Sequence, residues 1–201
     1  AAVQGGATQG GAGQAALKNA PTNPVLRGFR WREIGPTGQG GRIDDYAADE
    51  KEPYRYFIGF AVSGVWRTLN NGTTFDPIFD TYGVSSIGDL ALAPSDPNVL
   101  YVGTGEANNR QSASIGNGVW RSSNAMAAEA SSVKFEYVGL RETQSIGRMI
   151  VHPKDPNTVW VAAAGHLFGP NPERGVFKTT DAGKTWNKVL YVDTFTGATD
   201  L

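Results

Sequence analysis

The chain has 201 residues, 40% of them hydrophobic and 10% aromatic, which is enough for a packed core and excludes a disordered protein. Eighteen basic and nineteen acidic residues, mixed along the chain, leave a net charge of −1, so neither nucleic acid nor an anionic membrane surface is an expected partner. Cysteine is absent, which removes disulfides, thiolate metal sites and a cysteine nucleophile, and no apolar run is long enough to insert into a membrane.

The chain opens Ala1-Ala2-Val3-Gln4 without a Met, as a mature exported chain does after signal-peptidase cleavage, so a periplasmic or extracellular location is expected. Residues 1–28 read as a Gly/Ala-rich extended N-terminal arm. Its first 24 residues hold only Val3 and Leu17 as larger apolar side chains, too little to offset the entropy of ordering. Order in that arm is therefore expected to come from a partner protein.

From residue 29 onward the fold class expected is all-β. Glycine (26) and proline (11) recur between short runs rich in Val, Ile, Tyr, Phe and Trp, the pattern of many short strands. Gly64-Val65-Trp66-Arg67-Thr68, Gly118-Val119-Trp120-Arg121-Ser122 and Gly175-Val176-Phe177-Lys178-Thr179 are three copies of one phrase. A second phrase, Ile87-Gly88-Asp89-Leu90 and Ile146-Gly147-Arg148-Met149, keeps the same beat and is followed in each case by Asp-Pro-Asn, a turn sequence. Two phrases repeating in fixed order mark a copied structural unit.

In chain order the expected elements are a closing strand at 29–35, then three blades at about 41–80, 86–140 and 145–193, and the start of a fourth at 196–201. The strands fall at 42–48, 54–62, 64–69 and 75–79; at 87–93, 98–104, 117–123 and 133–139; and at 146–152, 158–163, 175–180 and 185–192. Four antiparallel strands per repeat describe a β-propeller blade, and three blades make an incomplete ring, since closed rings have about four to eight. Trp66, Trp120 and Phe177 are expected at equivalent buried positions, because strand alternation points one register into the core between blades.

Thr179-Thr180-Asp181-Ala182-Gly183-Lys184-Thr185-Trp186 matches the Asp-box (Ser/Thr-x-Asp-x-Gly-x-Thr-Trp) of BNR or sialidase-type repeats. Thr68, Asn70, Gly72 and Phe75 form a second copy, and the one beginning at Ser122 is expected to be broken by the insertion 125–132. Residues 29–201 resemble the N-terminal part of bacterial propellers related to sortilin and the VPS10 domain. The same repeat class includes the photosystem II stability and assembly factor and the xyloglucan-type glycosidases. The resemblance implies that Thr179, Asp181, Gly183 and Trp186 are structural and lie on a rim remote from any substrate.

Candidate chemistry is sparse. Arg42 and Arg148 read as equivalent inner-strand arginines, short of the cluster a sialidase needs. Asp44, Asp45, Asp89 and Glu106 are the carboxylates an inverting glycosidase would draw on, a pair about 6.5–9.5 Å apart with one raised pKa. Here they read as solvated loop carboxylates, and no catalytic residue is assigned. His152 and His166 are the only histidines, without cysteine support, so no metal or other cofactor is expected. His152 reads as a turn residue.

The long polar connections carrying Glu106, Asn108, Asn109 and Arg110, and His166 and Phe168, form the candidate ligand or partner face together with Arg42 and Arg148. The expected function is a non-catalytic extracytoplasmic protein-binding or scaffolding module, docking through its arm and a propeller face on a larger complex. The alternative is the N-terminal fragment of a glycoside hydrolase of the Asp-box propeller type.

Overall fold

The structure is a computed structural model that describes residues 41–108 and 112–201. The arm 1–28, the strand at 29–35, and Asn109 and Arg110 lie outside the described residues.

Among the described residues twelve strands form three four-stranded antiparallel sheets. The first contains β1 (Ile43–Ala48), β2 (Tyr56–Phe60), β3 (Gly64–Thr68) and β4 (Asp76–Pro77). The second contains β5 (Ile87–Leu92), β6 (Leu100–Thr104), β7 (Val119–Ser122) and β8 (Glu136–Gly139). In the third, β9 (Ile146–His152), β10 (Asp155–Ala163), β11 (Gly175–Thr179) and β12 (Asn187–Leu190) repeat the order. Each strand pairs with the next in sequence, so every sheet is a meander, as propeller blades are.

The registers superpose the copies residue by residue. Asp45 faces Gly59, Asp89 faces Gly103, and Arg148 faces Ala162. Small residues recur there because the neighbouring sheet comes close. A Cβ added to Gly59 would lie 2.8 Å from Ile87, and one on Gly103 would lie 2.7 Å from Ile146. Sheet is thus packed on sheet, with no connecting layer.

Two cores result. Phe57, Val65 and Phe79 of the first sheet pack on Ile87, Leu100 and Val102 of the second. Tyr101 and Val119 on the opposite face of the second sheet pack on Ile146, Met149, Val159 and Val161 of the third. Alternation with period two makes this possible: in β6 of the middle sheet Leu100 and Val102 enter one core and Tyr101 the other.

Two expectations are corrected. Phe177 is buried, but Trp66 and Trp120 are only half-buried. The reason is the indole N–H, which needs a polar acceptor. Trp66 donates to Ser63 O at 3.0 Å and Trp120 to Asn117 Oδ1 at 2.8 Å, acceptors that lie in the connections before the two strands. The fully buried register of the phrase is the valine, Val65 and Val119. The other correction concerns the third sheet, where β10 begins at Asp155, before the expected 158. Asp155 pairs with His152, and the next pair is Val159 with Val151. The Asp-Pro-Asn turn survives as an irregularity inside the strand, with Asp155 accepting Asn157 N–H at 3.0 Å and Thr158 Oγ1–H at 2.6 Å. His152, read as a turn residue, is the last residue of β9, and its Nδ1 accepts from the backbone of Lys154 and Asp155 across the turn that follows.

Candidate functional site

The inner strands carry the carboxylates, and the structure shows what they do. Asp45 Oδ2 accepts the N–H of Leu90 at 2.8 Å, and Asp89 Oδ2 accepts that of Met149 at 2.7 Å. In each case the inner strand of one sheet holds the inner strand of the next. Burial pushes Asp89 up to about 8, helped by the Asp45 carboxylate and opposed by the Met149 amide and Arg148. Arg148 is 3.6 Å away, but its side chain is half exposed, so water screens the pair and desolvation wins.

Arg148 occupies the register of Asp45 and Asp89, not that of Arg42. The two arginines are not equivalent, and they serve different carboxylates. Arg148 faces Asp89 and, at 3.9 Å, Asp200; Arg42 pairs with Glu106 and lies 3.9 Å from Asp44. Asp44 also accepts Asn108 Nδ2–H at 2.8 Å. Glu106 and Asp89 are not solvated loop carboxylates as the sequence suggested, since both are buried. Neighbouring sheets cover them, a long-range effect.

Connections between first and second strands, and between third and fourth, lie at one end of each sheet; this is the hairpin end. In the third sheet Thr179 Oγ1 accepts from Asp181 N and Gly183 N, and Asp181 accepts from Thr185 N at 2.9 Å and Thr185 Oγ1 at 2.6 Å. Those Thr185 bonds, with that from Thr179, hold the Asp181 carboxyl down at about 2. Thr68, Asn70, Gly72 and Thr74 repeat the same bonds in the first sheet.

The second copy lacks the glycine and its N–H bond to the hydroxyl, yet two of the bonds survive the insertion. Ser122 Oγ accepts from Asn124 N, and Asn124 Oδ1 accepts from Lys134 N at 3.0 Å, so residues 125–132 loop out of the hairpin. The aromatic that ends each hairpin packs inward. Phe135 stacks edge-on to Phe79 of the first sheet, Trp186 donates to Val138 O of the second at 2.6 Å, and Phe75 meets Tyr56 edge-on.

One functional partner of this end escaped the sequence reading. Arg67 is wholly buried, and its Nη1 donates to Ala125 O at 2.8 Å and Ala127 O at 2.6 Å, so a guanidinium of the first sheet carries the insertion of the second. The signal was present in the repeat, where a base follows the aromatic in every copy. Equivalent residues Arg121 and Lys178 lie over the rings of Tyr101 and Trp160.

The opposite, loop end holds the second-to-third-strand connections and the links between sheets. Apolar side chains stand in solvent there: Val62, Ile115, Phe168, Tyr191, Val192 and Phe195. In the hairpin connections the large apolar side chain so exposed among the described residues is Tyr54, while Ile43, Tyr46, Tyr137, Ile150, Val189 and Leu190 are exposed along the strands. A hollow of about 330 Å³ between Ser63, Phe79, Asp80 and Val84 also opens at the loop end. The link between the second and third sheets is a single 3₁₀ turn (Arg141–Thr143) flanked by Leu140 at φ 57° and Gln144 at φ 55°. Gln144 O accepts Gly116 N–H at 2.7 Å, and a Cβ on Gly105 would meet that carbonyl at 1.7 Å, so only glycine fits beneath it.

His166 Nε2 lies 3.0 Å from Glu142 O of the same link. Phe168, at the tip of the loop 164–174, is 79% exposed. The sequence missed the residues that shape this loop. Arg174 donates to the carbonyls of Ala164 and His166, both at 2.8 Å, and buried Asn171 donates to those of His166 and Gly169. Neither belongs to a repeated phrase, so no pattern marked them. Among the described residues no group of three or more His, Asp or Glu is placed to hold a metal ion, and no helix is long and apolar enough to cross a membrane.

No protein-family model matches the chain. It is 25% identical over 167 residues to the xyloglucanase Xgh74A of Acetivibrio thermocellus, which covers 80% of this chain and 19% of that enzyme. A xyloglucanase of Paenibacillus sp. is 22% identical, with 85% of this chain and 16% of the enzyme covered. The chain thus spans under a fifth of the length of the curated relatives it matches. Among solved structures, an ancestral GH74 enzyme superposes with a TM-score of 0.63 at 22% identity, over 84% of this chain and 20% of its own. YCF48 from Cyanidioschyzon merolae superposes with a TM-score of 0.51 at 12% identity, over 79% and 40%. These likenesses show the β-propeller fold.

Proposed function

We propose that the protein is a non-catalytic, extracytoplasmic protein-binding or scaffolding module that docks on a larger complex through the loop end of its blades. The observation that carries this reading is that, among the connections of the described residues, those at the loop end expose Val62, Ile115, Phe168, Tyr191, Val192 and Phe195 and those at the hairpin end expose Tyr54. Exposed apolar patches on a rigid scaffold mark interaction sites. The inner-strand acids support it too. Asp45 and Asp89 each spend an oxygen on a neighbouring backbone amide, and Glu106 faces Arg42, so these groups join parts of the fold together. The composition of residues 1–24 adds a second contact for the partner.

The second reading is a segment of a glycoside hydrolase, favoured by the similarity to xyloglucanases. Assay on xyloglucan of the full natural protein that carries this segment separates the two, because the 201 residues span under a fifth of the xyloglucanases. No release of reducing ends is expected; turnover would decide for the hydrolase.

A further inference from the structure

Two Asn-Gly pairs occur in the sequence, Asn71-Gly72 and Asn117-Gly118, and the structure treats them oppositely. Asparagine before glycine is a thermolabile pair, because no Cβ shields the glycine nitrogen from the carboxamide carbon. Asn117 is restrained: its Oδ1 accepts Trp120 Nε1–H and its backbone N–H is donated to Thr104 Oγ1, both at 2.8 Å. Gly118 is walled in as well, since a Cβ there would meet Gly139 O at 2.3 Å. Asn71, by contrast, is exposed in the hairpin between β3 and β4, and among the described residues nothing bonds to its carboxamide. The carboxamide of its neighbour Asn70 is held on both sides, with Oδ1 accepting Thr74 N–H and Nδ2 donating to Thr74 Oγ1, each at 2.9 Å.

The geometry points to Asn71 as a site of spontaneous covalent modification, deamidation to isoaspartate, independent of the proposed docking. The Gly72 nitrogen bonds to Asn71 Cγ, its proton passes through water to the departing amide nitrogen, and ammonia leaves a five-membered succinimide. Water then opens the ring, giving a carboxylate and, when the former main-chain carbonyl is the one attacked, a main chain longer by one carbon. The net change is amide plus water to acid plus ammonia. Thr73 N–H donates to Asn70 O and Thr74 N–H to Asn70 Oδ1, and both bonds span the altered residue, so the longer chain loosens the turn that they close. The same hairpin supplies a brake, because Gly72 N–H is donated to Thr68 Oγ1 at 2.9 Å and stays protonated until the turn opens. The third hairpin is a built-in control. Gly183 N–H makes the matching bond to Thr179 Oγ1 at 2.9 Å, and Ala182 at φ 63° stands where Asn71 stands at φ 57°. Its methyl group offers no carbonyl to attack.

The test is ageing of the full natural protein that carries this segment at mildly alkaline pH, followed by peptide mapping and by methyl transfer from labelled S-adenosylmethionine with an isoaspartyl methyltransferase. Isoaspartate is expected at position 71 and not at 70 or 117, and Asn71→Ala should lose it. Ala182→Asn should gain a second site that reacts at a similar rate, since the two hairpins share their bonds. Thr68→Val, which takes the acceptor from Gly72 N–H, should react about fivefold faster while folded, the worth of one net hydrogen bond. Should Thr68→Val fail to fold, Ala182→Asn decides. An unmodified Asn71 under conditions that convert the urea-unfolded chain, isoaspartate at Asn117 as fast as at Asn71, a glycan on the Asn71-Gly72-Thr73 sequon, or an inert Ala182→Asn would each overturn the proposal.

Discussion

At the hairpin end, Thr179 and Asp181 turn hydroxyl and carboxylate onto the turn's own amides, while at the loop end Phe168 and Phe195 are turned into solvent. Both ends close the same antiparallel sheets. The hairpins share a hydroxyl-and-amide bonding pattern in three copies, even where the second carries an insertion, because Asn124, held by Ser122, finds Lys134 N–H across it. The loops differ in every copy. The contrast teaches that the repeat maintains a scaffold at one end and leaves the other free to vary, which is where a scaffold carries its binding surface.

Substitutions at the two ends should therefore differ in kind. The largest effect is expected at Arg67. Arg67→Ala strips two buried carbonyls of their donor and opens a cavity between the first two sheets, costing about 3 kcal/mol in urea unfolding. A loss under about 1 kcal/mol would show that the insertion does not depend on it. Thr179→Val removes the oxygen that receives Asp181 N–H and Gly183 N–H, and should cost about 2 kcal/mol. The matching Thr68→Val should cost a similar amount if the hairpins are equivalent.

Between the ends, Asp89 predicts a pH dependence. Its folded pKa of about 8 lies above the ordinary carboxylate value, so the folded state holds a proton that the unfolded state has released. Stability is then fully present below about pH 4 and falls as pH rises toward 8, by up to about 1.4 kcal/mol per unit. Unfolding of Asp89→Asn followed across that window should lack this slope; an equal slope in both proteins would refute the assignment.

Smaller effects sharpen the comparison. Ala182 sits at φ 63° in the third hairpin, where Asn71 occupies the same place in the first. Ala182→Gly should raise stability by about 0.5–1 kcal/mol, read as a higher melting temperature. Phe168→Ser should change stability by less than about 0.5 kcal/mol, because the ring touches little of its own fold. A clear loss of stability there would mean that the loop end is packed, contrary to the contrast drawn above.

The sequence by itself determined the three meanders, the position of each strand to within a few residues, and the hairpins that end them. These features are local: strand alternation, turn residues and the hydroxyl-carboxylate pattern act over fewer than ten residues and leave a periodic trace. Only the tertiary structure decided which groups meet across sheets. Register placed Arg148 with Asp45 and Asp89 instead of with Arg42, and packing of one sheet on the next buried Asp89, Glu106 and Arg67. It also separated the tryptophans from the valines beside them, since an indole must find an acceptor and a valine need not. The brace of Arg174 and Asn171 beneath Phe168 left no trace in the pattern, because a loop that occurs once has no repeat to announce it.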